Sequence, residues 1–150
     1  MQDHEYWLNE NFKEAFALPE EARAWLLSLW NVIQVFDDMA DGDHPDRARL
    51  HQAIADALVN MPSNDFFLRH GHILLPLISV AILKWIASDD AERAGSADAM
   101  SFAWRAGYYD IVLAVVQIVH GDDIARGVCR AVMGLYGENY SEYLKEFGNA

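Results

Sequence analysis

The chain has 150 residues, of which 53 % are hydrophobic, and its 23 acidic against 11 basic residues give a formal net charge of −12. This length suits a single domain, and so large an apolar share predicts a homo-oligomer, which we expect to be a homodimer. We do not expect direct binding to nucleic acid, because no Lys/Arg cluster is available to displace phosphate counterions.

Helical signals cover the first part of the chain. A short amphipathic helix is predicted from about Glu5 to Phe16. A second helix begins at Pro19 and continues to about Asp41, where Gly42 ends it. Asp43 is then expected to cap a third helix that continues to Asn60 and ends before Pro62.

A fourth helical segment follows, with Ser63 or Asn64 as its cap. Because it contains Gly71 and Pro76, we expect a short helix followed by a longer one, or a kink. Its apolar run, residues 73–86, is too short to span a bilayer and is interrupted by polar residues. We therefore expect a buried core helix and no membrane span.

Residues 89–95 are the most linker-like stretch of the chain. A fifth helix is predicted from Ser96 to His120, and Gly121 separates it from a sixth helix that reaches about Phe147. No strand-like alternation occurs. The sequence therefore predicts an all-α fold, a single domain over residues 1–150, built as a bundle of about six mostly antiparallel helices.

Cysteine content and the first residues indicate a cytoplasmic protein. Cys129 is the only cysteine, so no intramolecular disulfide can form. The first ten residues are polar and acidic, unlike the basic start and apolar centre of a signal peptide. We expect a reducing, cytoplasmic setting.

A polar stripe on the second helix is the most informative feature of the sequence. At 100° per residue, five polar residues fall within an arc of about 120° on a helix that is otherwise largely apolar. They are Asn31, Gln34, Asp37, Asp38 and Asp41. Carboxylates at a helix C-terminus are unfavourable, because that end of the helix dipole is negative.

The stripe has three interpretations. The acids could belong to a solvated turn with Asp43 as a simple helix cap, although Asn31 and Gln34 extend further back than such a turn would. They could instead bind a metal ion through oxygen ligands, or pair with arginine. A buried stripe requires a partner in every case.

The run Phe36-Asp37-Asp38-Met39-Ala40-Asp41-Gly42 resembles the aspartate-rich Asp-Asp-x-x-Asp motif of class I isoprenoid and terpenoid synthases. Those proteins are all-helical, and their motif holds Mg²⁺ ions that bind an allylic diphosphate. The resemblance implies Mg²⁺ as cofactor and a diphosphate-containing small molecule as ligand. This chemistry suits Mg²⁺, which combines a few carboxylates with water and phosphate oxygens.

The second motif of that family places Asn or Asp, Ser or Thr, and Glu at positions i, i+4 and i+8 of a distant helix. Here Glu138, Glu142 and Glu146 have this spacing, but the residue types differ at the first two positions. A solvated helix face is the alternative interpretation of these glutamates.

Arg105 is a further candidate residue, on a predicted helix face with Asp98 and Tyr109. A buried arginine requires an anion. Arg105 could clamp a diphosphate, or it could pair with Asp38 or Asp98 in a structural network.

These observations predict a magnesium-binding helical protein that binds or acts on a diphosphate-containing small molecule, without deciding whether it is an enzyme. A non-catalytic acidic protein-interaction or inhibitor module is the alternative, and an all-α nucleotide pyrophosphohydrolase is a further one. The candidates for catalysis are Asp38, Asp41 and Arg105, those for binding the ligand are Asn31 and Gln34, and those for the metal are Asp37, Asp38, Asp41, Glu138 and Glu142.

Overall fold

The computed structural model describes residues 2–147, without the side chains of Gln2 and Asp3. All the regular elements in those residues are helices, so the predicted all-α class is confirmed, with eight helices rather than about six. By its contacts the chain divides into two compact units, residues 1–72 and 73–150, and each is described by itself. A single domain over residues 1–150 stays a prediction.

The first unit contains three helices and the start of a fourth. Their bounds are α1 (Gln2–Glu10, continued by a π-helical turn, Asn11–Ala15), α2 (Glu20–Ala40), α3 (Arg47–Ala55, continued by the π-helical segment Asp56–Asn60 and the α-helical turn Met61–Ser63) and α4 (Asp65–Arg93). Helices α1 and α3 both pack against α2, which is therefore the central helix of this unit.

Helix α2 begins and ends where local signals place it. Pro19 precedes it, Glu20 and Glu21 lie in its first turn, and Gly42 follows it with φ of +81°, a value that glycine adopts without steric cost. Its core-facing side chains are buried, namely Ala22, Trp25, Leu26, Leu29, Trp30, Val32 and Val35.

Helix α3 differs from its prediction at both ends. The cap is Asp46 rather than Asp43, because the Asp46 carboxylate accepts a hydrogen bond from the Arg49 amide at 2.8 Å. The helix also continues past Pro62 instead of ending before it. The π-helical segment directly precedes that proline, which would interrupt a regular α-helical hydrogen-bond ladder.

Helix α4 is unbroken over 29 residues with Pro76 inside it, so the expectation of a short helix followed by a separate longer one is wrong, whereas a kink stays a prediction. Asn64 caps it as predicted, since its side-chain oxygen accepts from the Phe67 amide at 3.1 Å. The predicted linker at residues 89–95 is mostly helical, because α4 continues to Arg93.

The second unit contains the rest of α4 and four shorter helices: α5 (Ala99–Trp104), α6 (Gly107–His120), α7 (Asp122–Met133) and α8 (Tyr140–Phe147). Asp98, rather than Ser96, caps α5 through a reciprocal capping box with Ser101. The predicted fifth and sixth helices are thus each divided in two. Gly121, with φ of +88°, makes the tight connection between α6 and α7.

The core of the second unit lies where α6 packs against α7 and α5 against α8. Helix α4 approaches α6 closely, because a Cβ atom added at Gly107 would lie 2.9 Å from the Cβ of Ala81. The largest buried side chains of this core are Leu74, Ile111, Val112, Val115, Val116, Val132 and Tyr143.

The expectation that residues 73–86 form a buried core helix is wrong. In the most apolar 18-residue window of α4, only 11 % of the residues are buried. Among the described residues, α4 is also the one helix long and apolar enough to cross a membrane, a criterion that core helices of soluble proteins meet as well.

Candidate functional site

A buried carboxylate, Asp56, is the partner of two polar residues on α2, Ser28 and Asn31. It lies at the junction of the α-helical and π-helical parts of α3 and is 5 % exposed. Asn31 donates to its Oδ2 atom at 3.1 Å, and Ser28 donates to Oδ1 at 3.2 Å. Asp56 therefore joins α3 to α2.

Two further amides complete this cluster from α3 itself. Gln52 and Asn60 lie four residues before and after Asp56, on the same helical side, and donate to Oδ1 at 3.1 and 2.9 Å. All four donors are uncharged side chains, and their hydrogen bonds hold the Asp56 carboxylate in place. We call these five residues the Asp56 cluster: Ser28, Asn31, Gln52, Asp56 and Asn60.

Asp56 was not among the residues predicted from the sequence. The available signal was a single acid within the apolar run Ala53-Ile54-Ala55-Asp56-Ala57-Leu58-Val59, with amides four residues to either side. A polar residue in such a run requires a buried partner, as the stripe on α2 does.

A cleft of about 660 Å³ lies beside the Asp56 cluster in the first unit. Its walls combine apolar and polar side chains, namely Glu5, Leu27, Ser28, Trp30, Asn31, Asp46, Ala48, Arg49, Gln52 and Asp56. Three carboxylates against one guanidinium make these walls acidic. The volume falls in the range of small-molecule sites.

Arg49 connects this cleft with the aspartate-rich end of α2. Its Nη1 atom donates to Asp38 Oδ2 at 3.1 Å, and both side chains are about 30 % exposed. The Nη2 atom of Arg49 is buried and has no hydrogen-bond partner. The arginine pairing considered for Asp38 is thus present, with Arg49 rather than Arg105.

The other predicted ligand residues on α2 differ in their exposure. Asp37 and Gln34 are half-buried, whereas Asp41 is exposed. Among residues 2–147, no group of three or more His, Cys, Asp or Glu side chains is placed to hold a metal ion. Magnesium binding by Asp37, Asp38 and Asp41 stays a prediction.

Arg105 belongs to a second polar network, which lies in the second unit. Its Nη1 atom donates to Glu92 Oε2 at 3.2 Å, and its Nε atom lies 3.3 Å from Glu138 Oε2. The Arg105 and Glu92 side chains are only 11 % and 8 % exposed. Arg105 therefore belongs to a structural ion-pair network, which was one of its two predicted roles. Its partners are glutamates rather than Asp38 or Asp98.

Tyrosine hydroxyl groups donate to the same two carboxylate oxygens that Arg105 contacts, Glu92 Oε2 and Glu138 Oε2. The Tyr143 hydroxyl donates to Glu92 at 3.0 Å and lies 2.7 Å from Ser101 Oγ, while Tyr136 donates to Glu138 at 2.7 Å. The guanidinium of Arg105 also lies over the Tyr143 ring, 5.1 Å from its centroid.

Burial shifts the tyrosine ionisation in this region. Burial, and secondly the charge of Glu138, raise the pKa of Tyr109 to about 12. The pKa of Tyr136 is raised by burial and by its hydrogen bond to Glu138. Both phenols therefore stay protonated well above neutral pH.

Glu138, Glu142 and Glu146 do not share one helix face, because α8 begins at Tyr140 and Glu138 lies before it. Glu142 and Glu146 are exposed. Glu138 and Glu142 are in the second unit, whereas the aspartates of α2 are in the first.

The second unit has an exposed apolar surface on α4. Seven apolar residues between positions 73 and 86 are exposed, with Leu83 at 62 %, Leu75 at 56 % and Val80 at 54 %. We call this surface the apolar face of α4 and define it by Ile73, Leu75, Pro76, Val80, Ile82, Leu83 and Ile86. At 100° per residue it covers about half of the helix circumference.

The opposite side of α4 is the packed side. Leu74 and Ser88 are 0 % and 1 % exposed, and Ser88 Oγ donates to the Ser101 carbonyl at 2.9 Å. The close approach of Ala81 to Gly107 lies on the same side. Helix α4 is therefore already held within its unit, with its apolar face directed away from that core.

Neither a protein-family model, nor a curated protein, nor a solved structure matches this chain.

Proposed function

We propose that this protein is a non-catalytic helical protein-interaction module and that the apolar face of α4 is its docking surface. The observation that supports this proposal is the exposure of that face. Four of its large side chains expose more than half of their surface, namely Leu75, Val80, Ile82 and Leu83. Contiguous apolar surface of this kind marks interaction sites, because covering it removes it from water.

The face has the form of a docking surface for another helix. Its residues follow the helical period and lie opposite the packed side of α4. Ser79 is an exposed small residue near its middle, which permits a partner helix to approach closely. Helix-in-groove and helix-on-helix contacts use such a row of apolar side chains.

The charged groups considered for catalysis support the same proposal. Asp38 is paired with Arg49, and Arg105 is paired with Glu92 and Glu138. These pairs hold neighbouring helices together, and a ligand that used them would first have to break them.

The cleft in the first unit favours a second candidate function, the binding of a small molecule. Its volume of about 660 Å³ and its Arg49 and Trp30 walls suit a polar ligand. The magnesium-bound diphosphate that the sequence resemblance implied belongs to this candidate. Metal-dependent release of pyrophosphate or phosphate from nucleotides and prenyl diphosphates tests it.

A photo-crosslinking amino acid at Ser79 tests the main proposal in cells that express the full chain. We expect a discrete cross-linked product from position 79 and none from position 141, since Ser141 is also exposed on a helix of the same unit but lies outside the face. Leu83→Asp on the same face should abolish the product. No product from position 79, or equal products from both positions, would refute the proposal.

A further inference from the structure

We infer that the partner on the apolar face of α4 is a second copy of this chain, which applies the same face about a two-fold axis. The inference rests on the proposed docking function and adds the identity of the partner. In such an isologous contact the surface must be complementary to itself. The charge, the area and the two ends of the apolar face of α4 meet that requirement.

The face carries no free charge. Lys84 is the only charged residue between positions 73 and 87, and its Nζ atom lies 2.8 Å from Asp110 Oδ2 within the same unit. The whole chain carries a net charge of −12. A basic partner would be attracted to the acidic surface elsewhere, whereas two copies can meet here without placing like charges opposite each other.

The size of the face approaches what a stable dimer needs. Ile73, Leu75, Val80, Ile82, Leu83 and Ile86 are between 41 % and 62 % exposed. Together they offer several hundred Å² of apolar surface, which approaches the roughly 800 Å² that each partner contributes to a standard interface. Neighbouring side chains at the rim can supply the remainder.

The ends of the face favour an antiparallel crossing. Asp90 is exposed one turn beyond the apolar residues, at the C-terminal end of α4, and its Oδ1 atom lies 2.6 Å from Arg93 Nη2. A parallel arrangement would place the two Asp90–Arg93 pairs side by side with like charges adjacent, whereas an antiparallel arrangement keeps these pairs at opposite ends of the contact. Ser79 then lies close to the two-fold axis, where the two helices approach most closely.

A bilayer fits this face less well than a second helix does. By length and composition α4 is able to cross a bilayer, but a single spanning helix would be surrounded by lipid on every side. The other side of α4 is, however, covered by its own unit, with a charged pair, Lys84 and Asp110, near the middle of the segment.

Sedimentation equilibrium of the full chain tests the inference over about 1–100 μM. We expect a concentration-dependent dimer with twice the 17.0 kDa mass of one chain. Leu83→Asp should raise the dissociation constant at least about tenfold. The control Leu58→Asp adds the same charge at a residue that is 72 % exposed in the other unit, and it should leave the dissociation constant unchanged.

A cysteine variant keeps the test informative even if Leu83→Asp disturbs folding. Ser79→Cys in a Cys129→Ser background should form an intermolecular disulfide on mild oxidation, because Ser79 lies near the proposed axis. The same substitution at Ser141 should remain reduced. Far-UV circular dichroism establishes that each variant is folded.

The outcomes separate this inference from the proposed function. If the protein is a monomer at all concentrations but gives a cross-linked product from position 79 in cells, the partner is not a second copy of this chain. The proposed docking function would then still stand. A monomer without any cross-linked product would overturn both. A dimer that Leu83→Asp leaves intact, or binding of the protein to phosphatidylcholine vesicles that Leu83→Asp abolishes, would also overturn the inference.

Discussion

Removal of the Asp56 carboxylate should destabilise the first unit by about 3 kcal/mol. Four neutral donors converge on this buried group, and each hydrogen bond to a charged group contributes about 1.5–3 kcal/mol. In Asp56→Ala the exposed amides of Gln52 and Asn60 regain water. The half-buried Ser28 and Asn31 lose their acceptor, at about 1.5 kcal/mol each.

The isosteric variant Asp56→Asn should have a smaller effect. Its amide oxygen can take the place of Oδ1, which accepts three of the four hydrogen bonds. Its NH₂ group then faces only the Asn31 amide at the Oδ2 position. We expect a loss of about 1.5 kcal/mol, roughly half that of Asp56→Ala.

Urea denaturation followed by far-UV circular dichroism measures these losses, and amide hydrogen exchange shows whether they fall on α2 and α3. Asp43→Ala is the matched control, because Asp43 is exposed, and its effect should stay within about 0.5 kcal/mol. If Asp56→Ala cost no more than Asp43→Ala, the Asp56 cluster would not hold α2 and α3 together.

Three further predictions follow from the packing and charges. Gly107→Val should lower stability by about 1–3 kcal/mol, because even a Cβ at this position lies 2.9 Å from the Cβ of Ala81; a melting temperature equal to wild type would contradict the close approach. Burial raises the pKa of Tyr109 to about 12, so the folded state keeps a proton that the unfolded state loses near pH 10, and stability should fall between pH 10 and 12. Tyr109→Phe should reduce this pH-dependent loss, and an unchanged profile would count against the burial effect. If Asp37, Asp38 and Asp41 bind a metal ion, millimolar Mg²⁺ should raise the melting temperature and Asp38→Asn should remove the increase; no shift would refute the metal site and leave Arg49 as the partner of Asp38.

Local signals in the sequence were sufficient for much of the secondary structure. Helix α2 was predicted almost to the residue, because the proline before it, the acids of its first turn and Gly42 after it all act within a few positions. Asn64 was likewise recognised as a cap. Predictions failed at Pro62, which lies within a helical segment instead of following the end of one, and for the division of α4 into two helices, which does not occur.

The partners of the polar residues could not be found in this way. Asn31 was correctly expected to need a partner, but that partner, Asp56, is 25 positions away in the sequence. Arg105 was expected to pair with an anion. Its partner, Glu92, lies within residues 89–95, which were predicted to be a linker. Spacing along one helix shows which of its residues share a face, but it does not identify the residues of another helix that pack against that face.

The sequence by itself determined that this protein is all-helical, acidic and richer in apolar residues than one small domain usually needs. Those properties depend on composition and on periodicity within single helices. Only the tertiary structure decided which apolar segment is buried, and it left residues 73–86 of α4 largely exposed instead of in the core. Hydrophobicity measures how strongly a surface avoids water, whereas the arrangement of the other helices decides whether this chain or a partner covers it.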